Sequence, residues 1–385
     1  MSEVIHEVSI VPGDEESEHD GSDLESIASS STSITASILD YRIENGRTYH
    51  RYKDGKYIFP NDARESDRLD HSSPLERADQ QHEIFIYTLD GKLGLAPPCK
   101  PDSKVSRVLD VGTGTGVWAV DFGDLHPEAE VSLRCFSLVA LSLFGVTIRV
   151  SNILFLCIQI LGIDLSAPQQ EFFIGADLYA LSVPPNVRFE IDDIEEEWTY
   201  SEPFNYIHSR FMNASIENWE EYLKKCYDNI APGGYLELLE NQVDPVSDDG
   251  TLPKESSIHK YINLIRSGSK KMGRLFVDVS TLESLLVKAG FVDVELRIFK
   301  WPMNGWPKDE KYKKLGLWCH ENFSSALEAV CMALLTRVHG WTRDEVDIFL
   351  IDVRKDLKNR SFHAYFPIYS VVGRKPEKGE AAASD

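Results

Sequence analysis

The amino-acid sequence predicts an α/β fold, with one open and mostly parallel sheet covered by helices on both faces. Three observations support this prediction. An apolar strand runs into a glycine loop and a helix at 108–122, strands alternate with helical stretches along the chain, and several strands end in an acidic residue. Strands that alternate with helices are typical of parallel sheets built from β-α-β units.

The glycine loop lies in Val108–Val117, which reads VLDVGTGTGV and has glycines at the alternate positions 112, 114 and 116. Without a Cβ the backbone can turn tightly and approach a ligand closely. A strand, a glycine loop and a helix N-terminus together are typical of a nucleotide-cofactor site. The alternative is an ordinary glycine-rich turn.

The spacing and one acid indicate which cofactor the loop would bind. Dinucleotide-binding proteins use G-x-G-x-x-G, which closes around a pyrophosphate. Here Asp110 stands on the strand just before Gly112, and Gly114 and Gly116 follow at alternate positions. A carboxylate at this point repels a phosphate and pairs with a cation. S-adenosylmethionine (SAM) carries an ammonium and a sulfonium and no phosphate, so it fits this pattern.

Composition and charge limit the other function classes. The chain has 385 residues, 42% of them hydrophobic, enough for one large domain with additions or for two domains. Its formal net charge of -22 argues against nucleic acid as the partner, since phosphate backbones need clustered Lys and Arg. The six cysteines form no C-x-x-C pair, so neither a metal site nor a disulfide framework is expected. With no signal-peptide pattern, a cytoplasmic or nuclear protein is the expectation.

The composition divides the chain into four parts. Residues 1–37 are acidic and then Ser-rich, which predicts a disordered tail, and the polar residues 376–385 predict a second one. Residues 38–104 predict an N-terminal lid and a helix, and 105–375 predict the main domain. The lid aromatics either pack on the core or contact cofactor or substrate; they are Tyr49, Tyr52 and Tyr57.

Acids at two further strand ends complete the predicted cofactor site. Asp164 ends the strand in Leu161–Ser166 and is expected to accept hydrogen bonds from ribose hydroxyls. Asp192 and Asp193 follow the alternating strand 187–191, where an acid can accept from the adenine amino group. The backbone N–H of Ile194 can reach a ring nitrogen. The alternative for the residues that follow strand 187–191 is a solvated acidic turn.

Residues 131–159 interrupt the expected spacing. Asp164 lies 54 residues after Asp110, against about 20 in a nucleotide-binding fold of this kind. The segment has no Asp, Glu, Lys or Pro, and three interpretations compete for it. The first interpretation is a membrane-spanning helix, the second is a genuine insertion packed on the domain, and the third is a translated unspliced intron. We favour the intron, because deletion of 131–159 leads directly from a turn into an apolar strand that ends in the acid.

The remaining stretches predict alternating helices and strands. Predicted helices are 80–90, 217–230, 280–290 and two within 309–358; predicted strands are 204–212, 235–240, 291–301 and 364–374, the last an antiparallel partner of 291–301. His208 and Arg210 lie near the end of the first of these strands, where a structural role is expected more often than a chemical one.

With these stretches in order, the chain resembles the class I SAM-dependent methyltransferases, in particular the trans-aconitate-methyltransferase-like group and its fungal LaeA-like members tied to secondary metabolism. The resemblance covers roughly 39–374 and implies a Rossmann-like seven-stranded sheet with an antiparallel last strand. It is carried by 49–57 (YHRYKDGKY), 60–62 (PND), 109–118 (LDVGTGTGVW), 162–166 (GIDLS), 184–193 (PPNVRFEIDD), 204–211 and 232–237 (PGGYLE).

The resemblance implies a role for each predicted site residue. Asp110 and the three glycines would hold the methionine part of SAM, Asp164 the ribose, and Asp193 with Ile194 the adenine. The methyl acceptor, a small molecule or a protein, is not indicated, and no residue is predicted as a catalytic base. The alternative is a non-catalytic regulatory protein that keeps the methyltransferase fold and acts through protein partners. A membrane location would require that 131–159 is genuine and spans the bilayer.

Overall fold

The computed structural model describes most of the predicted main domain and a hairpin that precedes it. The described residues are 41–45, 47–50, 80–127, 159–164, 184–191 and 193–380, and for 159–164 the description covers the backbone alone. The predicted tail 1–37, Tyr52, Tyr57, Asp192 and nearly all of 131–159 lie outside them.

Among the described residues, an eight-stranded mixed sheet forms the centre of the fold. Its strands are β3 Arg107–Val111, β4 Gln159–Asp164, β5 Val187–Ile191, β6 Phe204–Arg210, β7 Ile230–Asn241, β8 Val246–Ser247, β9 Val292–Pro302 and β10 Ala364–Arg374. They lie in the order β5-β4-β3-β6-β7-β10, with β8 and β9 both paired to β10. Strands β3 to β7 pair in parallel, whereas β10 is antiparallel to both β7 and β9. The predicted fold class and the predicted antiparallel partner of 291–301 are confirmed, and the two-residue β8 brings the sheet to eight strands instead of the seven expected.

Seven α-helices accompany the strands in the described part of the chain. They are α1 Gln80–Thr88, α2 Val117–Leu125, α3 Trp219–Asn229, α4 Ser257–Lys271, α5 Leu282–Ala289, α6 Glu310–Ala333 and α7 Arg343–Lys358. A π-helical turn, Leu334–Val338, continues α6. The helix ends follow local chemistry: the Asn218 side chain accepts from the Glu221 N–H at the start of α3, and Gly290, with φ 104°, ends α5.

The side chains of β3 point alternately to the two faces of the sheet, and this explains why helices cover both faces. Leu109 and Val111 face the cluster that includes α3 and α5, whereas Val108 faces the cluster that includes Trp118 and Phe122 of α2. Successive side chains of a strand point to opposite faces, so a strand buried on both sides carries apolar residues at consecutive positions. A third cluster joins α4, α6 and α7 into a separate helical layer.

The Pro-Gly-Gly turn lies inside a strand rather than before one. We expected a strand from residue 235, but β7 begins at Ile230, which pairs with Phe204; the register then shifts, and Tyr206 pairs with Tyr235. Gly233 adopts φ 77° and its N–H donates to the carbonyl of Lys375. The three residues therefore form a bulge that the chain beyond β10 holds by backbone hydrogen bonds.

A two-stranded hairpin, β1 (Tyr41–Glu44) and β2 (Arg47–His50), lies in the region predicted as an N-terminal lid. Arg337 of the π-helical turn donates from Nε to both carboxylate oxygens of Glu44, at 2.9 and 3.0 Å. Its guanidinium also lies 4.7 Å from the ring centroid of Tyr49, which is 1% exposed. Tyr49 is thus buried against the helical layer, one of the two roles expected for the lid aromatics.

Strand β4 forms in register although 131–159 precedes it. Gln159 pairs with Arg107 of β3, and Asp164 pairs with Ile191 of β5. Within the described residues, no helix has the length and apolar character needed to cross a bilayer. The three interpretations of 131–159 concern residues outside that part, and the intron stays a prediction.

Deletion of 131–159 is expected to preserve the sheet, because Glu130 would then take the place of Gln159 opposite Arg107 and the rest of β4 would keep its register. Circular dichroism and thermal unfolding of the deleted and full-length proteins test this expectation. A deleted protein that fails to fold would contradict it. Independently, a mature transcript that retains the codons for 131–159 would rule out the intron.

Candidate cofactor site

The glycine loop closes on itself between β3 and α2. The glycines at 112, 114 and 116 have φ of 67°, 57° and 83°, a region that L-residues rarely adopt. The Thr113 hydroxyl donates to Asp110 Oδ2 at 2.7 Å, and the Gly116 N–H donates to the Thr113 carbonyl at 3.0 Å. The loop therefore holds its shape through its own side chains as well as through its glycines.

The three glycines differ in what surrounds them. A Cβ added at Gly112 would lie 2.3 Å from Met212 Sδ, and one at Gly116 would lie 2.6 Å from the Phe189 ring. Among the residues that the structure describes, a Cβ at Gly114 would meet no atom within 4 Å. Two glycines thus allow other parts of the chain to approach, whereas Gly114 borders open space that a ligand can occupy.

Asp110 is deeply buried and already hydrogen-bonded. It is 3% exposed, and its Oδ1 accepts from His208 Nδ1 at 2.8 Å while Oδ2 accepts from Thr113. Each carboxylate oxygen has two lone pairs, so one remains on each for a further donor. The expected contact of Asp110 with the methionine part of SAM stays a prediction, and in the structure this acid shapes the loop.

Burial keeps the imidazole of His208 neutral. It lowers the pKa of His208, against the opposite effect of the hydrogen bond to Asp110. A neutral histidine carries one N–H, and because the Asp110 carboxylate can only accept, that proton lies on Nδ1. The buried pair is therefore a hydrogen bond from the Nδ1–H of His208 to Oδ1 of Asp110.

The other predicted residues lie at the same edge of the sheet. Asp164 is the last residue of β4, between β3 and β5. Asp193 and Ile194 follow β5 by two and three residues. The carboxyl ends of three adjacent parallel strands thus bring the glycine loop, Asp164 and this turn to one edge, where open α/β sheets bind ligands. Their contacts with ribose and adenine stay predictions.

The turn after β5 is held by a hydrogen bond within the turn and by hydrogen bonds from helix α3. Asp193, 3% exposed, accepts from the Glu195 N–H at 3.0 Å through Oδ1. Lys225 of α3 donates to the carbonyls of Glu195 and Glu196, at 2.6 and 3.0 Å. Ile194 and Ile216 border a cleft of about 280 Å³, and the other side chains that line it are mostly polar or charged: Glu195, Glu217, Asn218, Glu221, Tyr222 and Lys225. Because Ile194 is predicted to contact adenine, this cleft adjoins the predicted adenine end of the site.

One buried arginine joins two segments that border this cleft, the turn after β5 and the loop after β6. Arg274, in the chain after α4, pairs through both terminal nitrogens with the Glu195 carboxylate; its Nη2 lies 3.0 Å from Oε2. Its Nη1 also donates to the Ser215 carbonyl at 2.9 Å. The side chains of Arg274 and Glu195 are 7% and 19% exposed. The pair holds the turn after β5 next to the loop after β6.

The loop after β6 is held by a buried acid on β7. Glu240 is fully buried, and its two oxygens accept from the N–H groups of Met212 and Asn213 at 2.9 and 3.0 Å. Phe211, which precedes them, has φ 54°, an uncommon conformation for a bulky residue. Glu240 therefore holds in place the segment in which Met212 lies against Gly112.

We expect Glu240 to make stability depend on pH. Burial raises its pKa to about 8, and the two backbone hydrogen bonds oppose this rise. The folded chain keeps a proton that the unfolded chain loses, so this stabilisation is complete below about pH 4.5 and disappears as the pH rises through about 8. Urea midpoints across this interval should fall more for the wild type than for Glu240→Gln, which cannot titrate. Parallel profiles would contradict the assignment.

Several residues of the site could not be identified from the sequence. The sequence places Trp118 and Thr113 inside the loop motif, but it does not show which residues they contact. His82 of α1 connects two other elements: its Nε2 lies 2.9 Å from Asp121 of α2, and its Nδ1 lies 3.2 Å from Arg210 of β6. We assign no catalytic base among these groups. No cluster of His, Cys, Asp and Glu within the described ranges could hold a metal ion.

The strand order and the glycine loop together define a class I methyltransferase fold, and comparison with known proteins agrees. A family described as a methyltransferase domain matches residues 81–296. Methyltransferase pytC of Aspergillus terreus is 34% identical over 90% of this chain and 92% of its own length. The secondary metabolism regulator LAE1 of Cochliobolus heterostrophus is 33% identical over 87% and 95%. The protein-methionine methyltransferase laeA of Emericella nidulans is 26% identical over 86% and 76%.

The chain belongs to this methyltransferase family and to its fungal LaeA-like branch, and its cofactor is SAM. The loop fits that cofactor, because it combines a buried acid, positive-φ glycines and open space at Gly114. Among solved structures, phosphoethanolamine N-methyltransferase 2 of Haemonchus contortus with SAM is similar at 16% identity and TM-score 0.41, over 92% of this chain and 75% of that one. The fold assignment rests on the strand order and not on this similarity.

Proposed function

We propose that the chain transfers the methyl group of SAM to an acceptor in fungal secondary metabolism or in its regulation. The relatives support this setting, since one is named a methyltransferase and another a secondary metabolism regulator. The glycine loop is the observation that supports methyl transfer by this chain. A hydrogen bond from Thr113 to Asp110 holds the loop in shape, and the described residues leave space beside Gly114. A cytoplasmic or nuclear location belongs to the same proposal.

Methyl transfer from SAM requires little of the protein beyond correct placement of the acceptor. Bound SAM supplies an electrophilic methyl group on its sulfonium. The chain then has to hold the acceptor in line with that methyl group and keep water away, and such positioning is worth several kcal/mol, roughly 7–11 in favourable cases. A general base is optional when the acceptor is already nucleophilic.

Turnover with labelled SAM tests the proposal. The purified full-length chain is incubated with methyl-labelled SAM and an extract of a producing fungus, with the Gly114→Ala variant as control. Label in an extract component with the wild type alone supports a methyltransferase. SAM binding without transfer to any component would favour the alternative, a regulatory protein that uses the fold for binding.

A thioether is a second candidate acceptor, and one contact favours it. The Emericella nidulans relative is named a protein-methionine methyltransferase. In this chain, Met212 is 8% exposed and its Sδ lies against Gly112 of the cofactor loop. The sulfur would attack the sulfonium methyl, yielding a methylsulfonium at Met212 and S-adenosylhomocysteine.

Mass spectrometry separates this acceptor from an external one. Incubation of the pure chain with SAM should add one methyl group to the peptide that contains Met212 and none to that of the fully buried Met303. Met212→Leu should abolish the addition while SAM still binds. An unmodified Met212 peptide after long incubation would exclude self-methylation and leave the external acceptor.

A further inference from the structure

His208 contacts the cofactor loop at both of its ends. It lies on β6 and pairs in register with Asp110 on β3. Its Nδ1 donates to Asp110 Oδ1 at 2.8 Å, where the loop begins. Its ring also stacks on Trp118 of α2, where the loop has ended, with ring centroids 3.8 Å apart and an interplanar angle of 5°.

The partners of His208 are themselves fixed. Trp118 is 1% exposed, and its indole Nε1 donates to the Leu93 carbonyl at 2.9 Å. The second oxygen of Asp110 is bound by Thr113. An imidazole between these two groups therefore connects two held points, and the loop cannot shift at either end without breaking the hydrogen bond or the stack.

A histidine at position 208 carries a free-energy cost, because its second ring nitrogen is buried. The residue is fully buried, and its Nε2 has no hydrogen-bond partner in the described structure. A buried polar atom without a partner typically costs about 1–3 kcal/mol, which an apolar side chain would avoid. The cost is offset by what the imidazole alone provides here, a donor on one side and a flat ring on the other.

We propose that His208 is a positioning residue, which holds the glycine loop in its SAM-binding shape by joining Asp110 to Trp118. The inference rests on the proposed use of this loop for SAM. His208 does not touch the methyl group or the acceptor in this account. It acts through the loop, and its loss should weaken SAM binding while the remaining bound enzyme keeps most of its turnover rate.

Three substitutions separate the two contacts. His208→Asn keeps a donor near the position of Nδ1 and loses the ring, His208→Phe keeps the ring and loses the donor, and His208→Leu loses both. We expect SAM dissociation constants to rise about tenfold for each partial variant and about a hundredfold for Leu, as for the loss of a buried charge-assisted hydrogen bond. The kcat values should change less than the KM values for SAM.

Tyr206→Phe is the matched control. Tyr206 is buried on the same strand, and its hydroxyl donates to Glu237 at 2.8 Å rather than to the loop. We expect this variant to lower the melting temperature without changing SAM affinity. If the three His208 variants also lowered only the melting temperature, His208 would be an ordinary core residue and the proposal would be wrong.

Hydrogen exchange provides a readout that does not require SAM. In the full-length chain without cofactor, amides of the loop at 112–118 should exchange faster in His208→Leu than in the wild type, with His208→Asn and His208→Phe between them. Exchange in the α3 helix should stay unchanged. If the wild type bound no SAM, the proposed function would fail while this measurement still tested the loop. Equal exchange in all four proteins would overturn the proposal.

Discussion

Gly114→Ala is expected to abolish SAM binding while the protein stays folded. At φ 57° an alanine is strained by roughly 1–2 kcal/mol, but the added Cβ meets no atom of the described residues within 4 Å. The methyl group instead enters the space beside the loop where the cofactor is to lie. Isothermal titration calorimetry should show an affinity loss of at least about a hundredfold, because a tight backbone contact is replaced by a clash.

Gly250→Ala is the control for backbone strain. Gly250 has φ 70°, and in the described part of the chain no atom lies within 4 Å of an added Cβ there either, but Gly250 belongs to the turn after β8. Both variants should lose similar thermal stability, and only Gly114→Ala should lose SAM. Normal SAM affinity in Gly114→Ala would contradict the position of the cofactor at this loop.

Arg274→Met should cause the second large loss, in stability and in affinity together. Removing one partner of a buried ion pair leaves the other charge uncompensated and typically costs about 3–5 kcal/mol. Arg274 also holds the Ser215 carbonyl, so both the turn after β5 and the loop after β6 should loosen beside Ile194. Affinities for SAM and for adenosine should fall by the same factor, since the affected end of the site is the proposed adenine end.

The surface pair between Lys288 and Glu220 provides the comparison. Their side chains are 65% and 59% exposed, and such pairs contribute about 0–1 kcal/mol. Lys288→Met should therefore leave both stability and adenosine binding nearly unchanged. A double-mutant cycle of Arg274→Met with Glu195→Gln should show strong coupling. Additive effects, or adenosine binding that survives Arg274→Met, would mean that the pair does not position the cleft.

The elements that depend on local sequence were predictable. The strand Val187–Ile191 was predicted with the bounds that the structure shows, because its apolar alternation is flanked by turn residues. The glycine loop was predictable for a similar reason, since alternate glycines after an apolar strand have few other uses. The fold class followed once the loop, the strand-end acids and the antiparallel last strand indicated one family of folds, whereas the order of the strands came from the structure.

The contacts that shape the site depend on register and tertiary packing. His208 lies 98 residues from Asp110, and only the pairing of β3 with β6 brings the two together. Arg274 lies 79 residues from Glu195, in a loop without a recognisable motif. The Pro-Gly-Gly bulge was misplaced because proline and glycine suggest a strand boundary, whereas backbone partners beyond β10 allow them inside a strand.

The most direct test of the central claim is a calorimetric titration of the full-length chain with SAM, repeated with Gly114→Ala and Gly250→Ala. We expect saturable binding at one site for the wild type and for Gly250→Ala, and none for Gly114→Ala. Absence of binding to a folded wild-type protein, or equal binding by all three, would contradict the claim that the loop at 110–116 is the cofactor site.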